Sequence, residues 1–340
     1  VSAIANLIEQ VTRIGVGIIF LYLFLPYGLI TSVSMSVLSM GVGELISLVY
    51  IIIKIRKCKP VNPVTNASPN RAIIEMALPS TFSRLVGNLT EFLEPIIYTA
   101  ALSLLGFTST EILFHYSSIT AYALPLITMC SFISQSIATS IIPNISLSNA
   151  LGKNNEIIYY IKKSLLLSLV PGILVTILLL NYSYEYMNLV YKTEIGADYA
   201  TRLGLFFIFY YLLSPLWAIM QALGRTRFLF RLNLISSIIK LALIFGLSFL
   251  PGIGPSSLIL TLLLNTIACS LILYFYLANR LRFRFHRPEI IKLFILSIAS
   301  VLVLEILKAG ISHYLLNTII LTLIFILLFK VLKVTDLHNE

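Results

Sequence analysis

Long apolar segments separated by short polar gaps run through the whole of this chain. Most are at least 18 residues long, enough for an α-helix rising ~1.5 Å per residue to cross a hydrocarbon layer of ~30 Å. The pattern predicts about ten membrane helices, near 4–25, 29–53, 72–105, 111–148, 156–181, 199–222, 228–249, 256–278, 289–308 and 313–332. The first turns at Leu25-Pro26-Tyr27-Gly28, and the second runs into Lys54, Arg56, Lys57 and Lys59. The third and fourth exceed a simple span, so tilting, kinking or protrusion is expected. Pro60–Asn70, rich in Pro, Asn and Ser, reads as a linker. The expected fold class is all-α, a polytopic integral membrane protein.

An internal repeat overlies this pattern. Asn6-Leu7-Ile8 is followed five residues later by Arg13 and then by an apolar run ending at Leu25-Pro26. Asn233-Leu234-Ile235 is followed five residues later by Lys240 and a run ending at Leu250-Pro251. Each unit continues into another apolar helix with a basic exit, at Lys54 and Arg280. Both copies enter the membrane in the same direction, so the repeat is parallel, as in transporters whose halves are related by an axis along the membrane normal. If the first two helices match the seventh and eighth, four helices precede the second copy and none the first. Four helices are then expected to be missing before Val1. The expected organisation is a two-helix remnant of an N-terminal lobe (1–56), a cytoplasmic linker (57–71), a six-helix lobe (72–282), and a helix pair with its tail (283–340).

Composition narrows the class. The chain has 340 residues, 58% hydrophobic and 11% charged, more apolar surface than a soluble domain of this size can cover. Most of its 24 Lys and Arg residues fall in or beside every second gap; the intervening gaps hold Lys192, Arg202 and Lys308. Basic loops stay in the cytoplasm, so Pro60–Asn70 and Arg280–Arg287 are expected inside and Glu185–Asp198 outside, in a multi-pass protein of the cell membrane. The net charge of +10 then fits anionic lipid headgroups better than nucleic acid. Cys58, Cys130 and Cys269 lie far apart without CxxC spacing, and His115, His286, His313 and His338 are scattered, so no metal site or cofactor is indicated. The sequence holds no Walker A, GxSxG or HExxH motif, which argues against an ATP-driven pump or a hydrolase.

The third segment carries the most polar chemistry. Arg84, Asn88, Glu91 and Pro95 follow at spacings of four, three and four and share one helical face, with Glu94 near it. Arg84 lies roughly 20 Å along the helix from Arg71. A charge at that depth costs at least ~2.5 kcal/mol, so it should face a bundle interior or a wet cavity. Two readings stay open: a cavity-lining role in transport, or an Arg84–Glu91 pair that only neutralises both groups. Pro79 and Pro95 can kink the same segment. Lys240 lies roughly 13 Å beyond Arg231, and Arg13 holds the matching repeat position. Facing each other with Arg84 nearby, they would bind a polyanionic headgroup such as a lipid pyrophosphate. Alternatively both snorkel to the cytoplasmic interface, with Glu9 one turn before Arg13. The fourth segment, with His115, Ser118, Tyr122, Ser131, Gln135 and Thr139, suggests a hydrated face, although Ser and Thr also bond their own backbone.

Several stretches bear a family resemblance. Gln221-Ala222-Leu223-Gly224-Arg225-Thr226-Arg227, with Asn233-Leu234-Ile235, Ile238-Ile239-Lys240 and Leu250-Pro251-Gly252-Ile253-Gly254, resembles the polysaccharide flippase family. Within it the chain is most similar to the stage V sporulation protein B group, whose relatives include lipid II flippases. Ile8-Glu9-Gln10-Val11-Thr12-Arg13, Leu78-Pro79-Ser80-Thr81-Phe82-Ser83-Arg84, and Ala138-Thr139-Ser140-Ile141-Ile142-Pro143-Asn144-Ile145-Ser146 fit the same group, so the likeness spans nearly the whole chain. The resemblance implies two six-helix lobes around a V-shaped cavity plus two C-terminal helices, with Arg13, Arg84 and Lys240 facing the cavity. The function it implies is movement of a polyprenyl-pyrophosphate-linked saccharide to the outer leaflet by alternating access, in spore cortex or envelope synthesis. Substrate contacts are then expected at Arg84, Lys240, Arg13, Glu91 and Asn88. The rivals are a cation-coupled multidrug exporter of the same superfamily, with Glu91 as its best acidic candidate, and a non-transporting envelope-assembly factor or remnant.

Overall fold

The computed structural model describes residues 2–57, 69–204, 208–285 and 287–333, and every regular element among them is helical. We number these α1 (Ser2–Phe24), α2 (Leu29–Lys57), α3 (Pro69–Leu104), α4 (Ser109–Ala150), α5 (Asn154–Tyr191), α6 (Ala197–Gly204), α7 (Ile208–Ala222), α8 (Thr226–Ser248), α9 (Ser257–Leu281), α10 (Arg287–Gly310) and α11 (Tyr314–Val331). Eight helices among the described residues are long and apolar enough to cross a membrane, and nine if α6 and α7, whose directions differ by 61°, form one span. The third predicted span, α3, falls short because charged and amide residues dilute its apolar character. The chain is an all-α, multi-pass membrane protein.

Contacts divide it into two units, Val1–Ser68 and Pro69–Glu340. In the first, α1 and α2 form a hairpin whose turn includes Gly28 at φ 105°, a left-handed conformation that suits glycine. The buried residues of α2 are Ser32, Ser39, Gly43 and Ser47, a small-residue seam that lets the two backbones approach. Ser32 Oγ donates to Leu21 O at 2.7 Å and Ser47 Oγ to Ala5 O at 3.2 Å. A Cβ on Gly43 would stand 3.0 Å from Glu9 O, so this seam has no room for a larger residue. Of the predicted linker, residues 58–68, with Cys58, lie outside the described residues, and Pro69 opens α3.

In the second unit α3 lies along α8, and both run in the same direction. Asn233 meets Ser83 near their starts, Lys240 meets Glu94 further along, and Tyr98 OH donates to Pro255 O at 2.8 Å beyond. The fourth predicted span is one irregular helix. Pro125 has no N–H to donate, and just before it the chain widens into a π-turn over Ser118–Ala123, with Leu124 N–H bonding Ile119 O. Gly196 packs against that turn; a Cβ there would come within 2.6 Å of Ser118 O. The fifth predicted span continues past its expected end: α5 bends at Tyr182 (φ −133°, ψ 25°) and runs on to Tyr191. Glu185 therefore sits on a helix and Asp198 in the first turn of α6, leaving Glu194 in the loop between them.

The α10–α11 hairpin is fastened to α5 at both ends. Lys162 Nζ lies 3.6 Å from Glu289 Oε1 at one end. At the other, Asn317 donates to Tyr182 OH at 3.0 Å, Tyr186 OH bonds Thr318 Oγ1 at 2.7 Å, and Lys308 bonds Asn181. Leu296, Leu304, Leu321 and Phe325 fill the space between these fastenings against Val170, Ile173 and Ile177.

Candidate functional site

Helix α3 has two polar faces with opposite fates. Thr90, Glu94 and Tyr98, one turn apart, are buried with Ala101 and Leu102, whereas Arg84, Asn88 and Glu91 are exposed. Glu94 thus belongs to the packing face rather than beside Arg84. Its partner is Lys240 of α8, with Nζ 2.5 Å from Glu94 Oε2 and the two side chains 13% and 9% exposed. Buried charges persist only when paired, and this pair satisfies both at the α3–α8 contact. Lys240 is therefore engaged by a carboxylate. Arg13, in the first unit, is likewise engaged, by Glu9 one turn earlier at 2.6 Å.

Arg84 differs from both. Among the described residues it makes no ion pair or hydrogen bond, and no bond joins it to Glu91. It lines a cavity of about 810 Å³ bounded by α3, α4, α7 and α8. The remaining polar lining is neutral: hydroxyls of Ser80, Thr81, Ser83, Ser146 and Thr226, and carboxamides of Gln221 and Asn233. Trp217 adds an aromatic wall. A single cation amid neutral hydrogen-bonding groups suits an anion carrying hydroxyls. Asn88 and Glu91 continue the exposed face of α3 but are not part of this lining.

On α4, Gln135, Ser136, Thr139, Ser140, Asn144 and Ser146 are exposed. The hydroxyls of Ser136, Thr139 and Ser140 bond carbonyls of their own helix, so much of their polarity is satisfied locally. Ser134, by contrast, is buried and donates to Tyr211 O at 2.6 Å, tying α4 to α7. A second cavity of about 470 Å³ lies at the other end of α4 and includes Glu194, Asp198 and Arg202. His115 faces it and bonds Tyr199 OH at 2.8 Å through Nδ1. Of the residues lining the cavity near Arg84, the sequence assigned only Arg84 to a site; Trp217, Gln221 and Asn233 are among those it left unassigned. Their signal was present, since Trp217 and Gln221 stand four apart on one helical face and Asn233 opens the repeated tripeptide.

No protein-family model matches the chain. It is 31% identical over 260 residues to stage V sporulation protein B of Bacillus subtilis (strain 168), covering 74% of this chain and 50% of that protein. Among solved structures, lipid II flippase MurJ in an inward closed conformation superposes with a TM-score of 0.62 at 20% identity, covering 97% of this chain and 66% of MurJ. A MOP superfamily transporter from Pyrococcus furiosus gives a TM-score of 0.52 at 18% identity, over 74% of this chain and 57% of the other. The chain therefore has their helical fold and spans half the length of the Bacillus relative.

Proposed function

The chain is a homologue of stage V sporulation protein B in a flippase-like family of membrane proteins, and from that premise we propose that it moves a polyprenyl-pyrophosphate-linked saccharide across the cell membrane. The observation that carries the reading is Arg84, a cation that has no partner among the described residues and that lines a cavity also bearing hydroxyls and carboxamides. An arginine presents a planar fork of donors that matches phosphate oxygens. Lys240 and Arg13 already face carboxylates, so an arriving anion would have to displace Glu94 or Glu9 to reach them. Arg84 is thus the primary anchor in this account, and the exposed polar faces of α3 and α4 accommodate the sugar while the lipid tail stays in the bilayer. Exchange between inward- and outward-open states completes the transfer, and the process serves spore cortex or cell-envelope assembly.

The test is translocation in proteoliposomes by the protein expressed from its complete reading frame. A fluorescent polyprenyl-pyrophosphate disaccharide should reach the opposite leaflet, whereas ethidium, a small organic cation, should not be carried. Transport of ethidium without movement of the lipid would favour the multidrug exporter, for which the exposed Glu91 is the acid to examine.

A further inference from the structure

We propose that the cavity beside Arg84 is a sugar-phosphate subsite in which Arg84 holds phosphate and Trp217, Gln221 and Asn233 hold the adjoining pyranose ring. This rests on the flippase reading and adds a place and a chemistry for the saccharide. A pyranose has a face of weakly positive C–H groups and a rim of hydroxyls. The first suits the electron-rich face of an indole, and the second suits carboxamides and hydroxyls. Trp217 and these polar side chains line this one cavity, and its volume of about 810 Å³ falls within the range of small-molecule sites.

Two of the recognition groups, Trp217 and Asn233, are held in place. Trp217 is half-buried and packs against the apolar cluster that includes Ile145, Leu216 and Leu229, which limits its movement. Its indole N–H makes no hydrogen bond among the described residues, so a donor remains for a ligand. Asn233 Nδ2 donates to Ser83 O at 2.7 Å and to Ser83 Oγ at 3.1 Å, which fixes the carboxamide and leaves Oδ1 as an acceptor. Gln221 is exposed one turn beyond Trp217 on α7, so both follow the same face. Among the described residues, no carboxylate that would repel the phosphate lines the cavity.

Trp217 is the one tryptophan among these 340 residues, and the part of the intrinsic emission that Trp217→Leu removes reports on this site. Purified protein expressed from the complete reading frame is titrated with three probes: a polyprenyl-pyrophosphate disaccharide, bare polyprenyl pyrophosphate, and phosphatidylglycerol. The disaccharide lipid should shift or quench the emission saturably, and the two sugar-free lipids should not. Binding is also measured with radiolabelled lipids. Trp217→Leu should weaken the disaccharide lipid at least tenfold and Gln221→Ala, at an exposed position, about threefold or more. Neither should change affinity for bare polyprenyl pyrophosphate, whereas Arg84→Ala should weaken both pyrophosphate lipids. Equal losses for the sugar-bearing and sugar-free lipids, or no emission change while the disaccharide lipid binds through Arg84, would overturn the sugar subsite and leave the flippase reading standing. Failure of the wild-type protein to bind or translocate the disaccharide lipid at all would overturn both.

Discussion

Glu94 is buried and the Lys240 side chain nearly so between α3 and α8, so removing either leaves the other charged with little access to water. We expect Lys240→Met or Glu94→Leu alone to lower stability by about 3–5 kcal/mol, and the double change to return close to wild type because no unpaired charge remains. Thermal unfolding of the four proteins in one detergent measures this cycle; a double variant as unstable as the worse single one would mean that the pair does more than neutralise itself. The sequence made half of this arrangement readable. Thr90, Glu94 and Tyr98 recur every four residues, the mark of one helical face, but the partner of Glu94 lies on a helix far along the chain. Only the parallel packing of α3 on α8 brings Lys240 to it. Conversely, the spacing of seven between Arg84 and Glu91 permits an intrahelical pair, yet the side chains do not form one.

At the scale of elements, apolar length located most helices but not their ends, and it read α6 and α7 as one. Asn181 looks like the exit of the fifth span, whereas the helix bends at Tyr182 and continues, held by polar groups of α10 and α11 that no local pattern reveals. Asn317 is central to this hold, donating to Tyr182 OH and to Ile311 O, both at 3.0 Å. Replacing it with Leu removes both bonds and leaves the Tyr182 hydroxyl without this donor. We expect a loss of about 1–3 kcal/mol, seen as a lower melting temperature. An unchanged melting point would show that the bend is fixed by packing alone. The irregular path of α4 is more legible, because Pro125 announces a break in its ladder. The choice of a π-turn depends also on Gly196, which only the fold brings alongside.

Across the whole molecule, two hairpins share a design: a 23-residue helix, a Leu-Pro turn, a short 3-10 turn, and a second helix ending in basic residues. The charge pattern makes an independent topological prediction. A membrane-impermeant maleimide added to intact cells should modify a cysteine placed at Glu194 and spare Cys58, while lysed cells should expose Cys58 as well. Labelling of Cys58 in intact cells would reverse the orientation. The positive-inside pattern is readable because it depends on loop composition alone. The cavity is not, because Arg84, Ser146, Gln221 and Asn233 converge from four helices.

The central claim, that Arg84 grips a lipid pyrophosphate, is tested most directly by translocation of a polyprenyl-pyrophosphate disaccharide in proteoliposomes. The protein is expressed from its complete reading frame and compared as wild type, Arg84→Lys, Arg84→Ala and Arg84→Ala with Glu91→Ala, at matched levels of inserted protein. Arg84→Lys keeps the charge but loses the bidentate fork, so its rate should fall roughly tenfold, and Arg84→Ala should fall further. Because Arg84 and Glu91 form no ion pair, adding Glu91→Ala should restore nothing. Full activity in the double variant would contradict the account and leave Arg84 as a structural counter-charge.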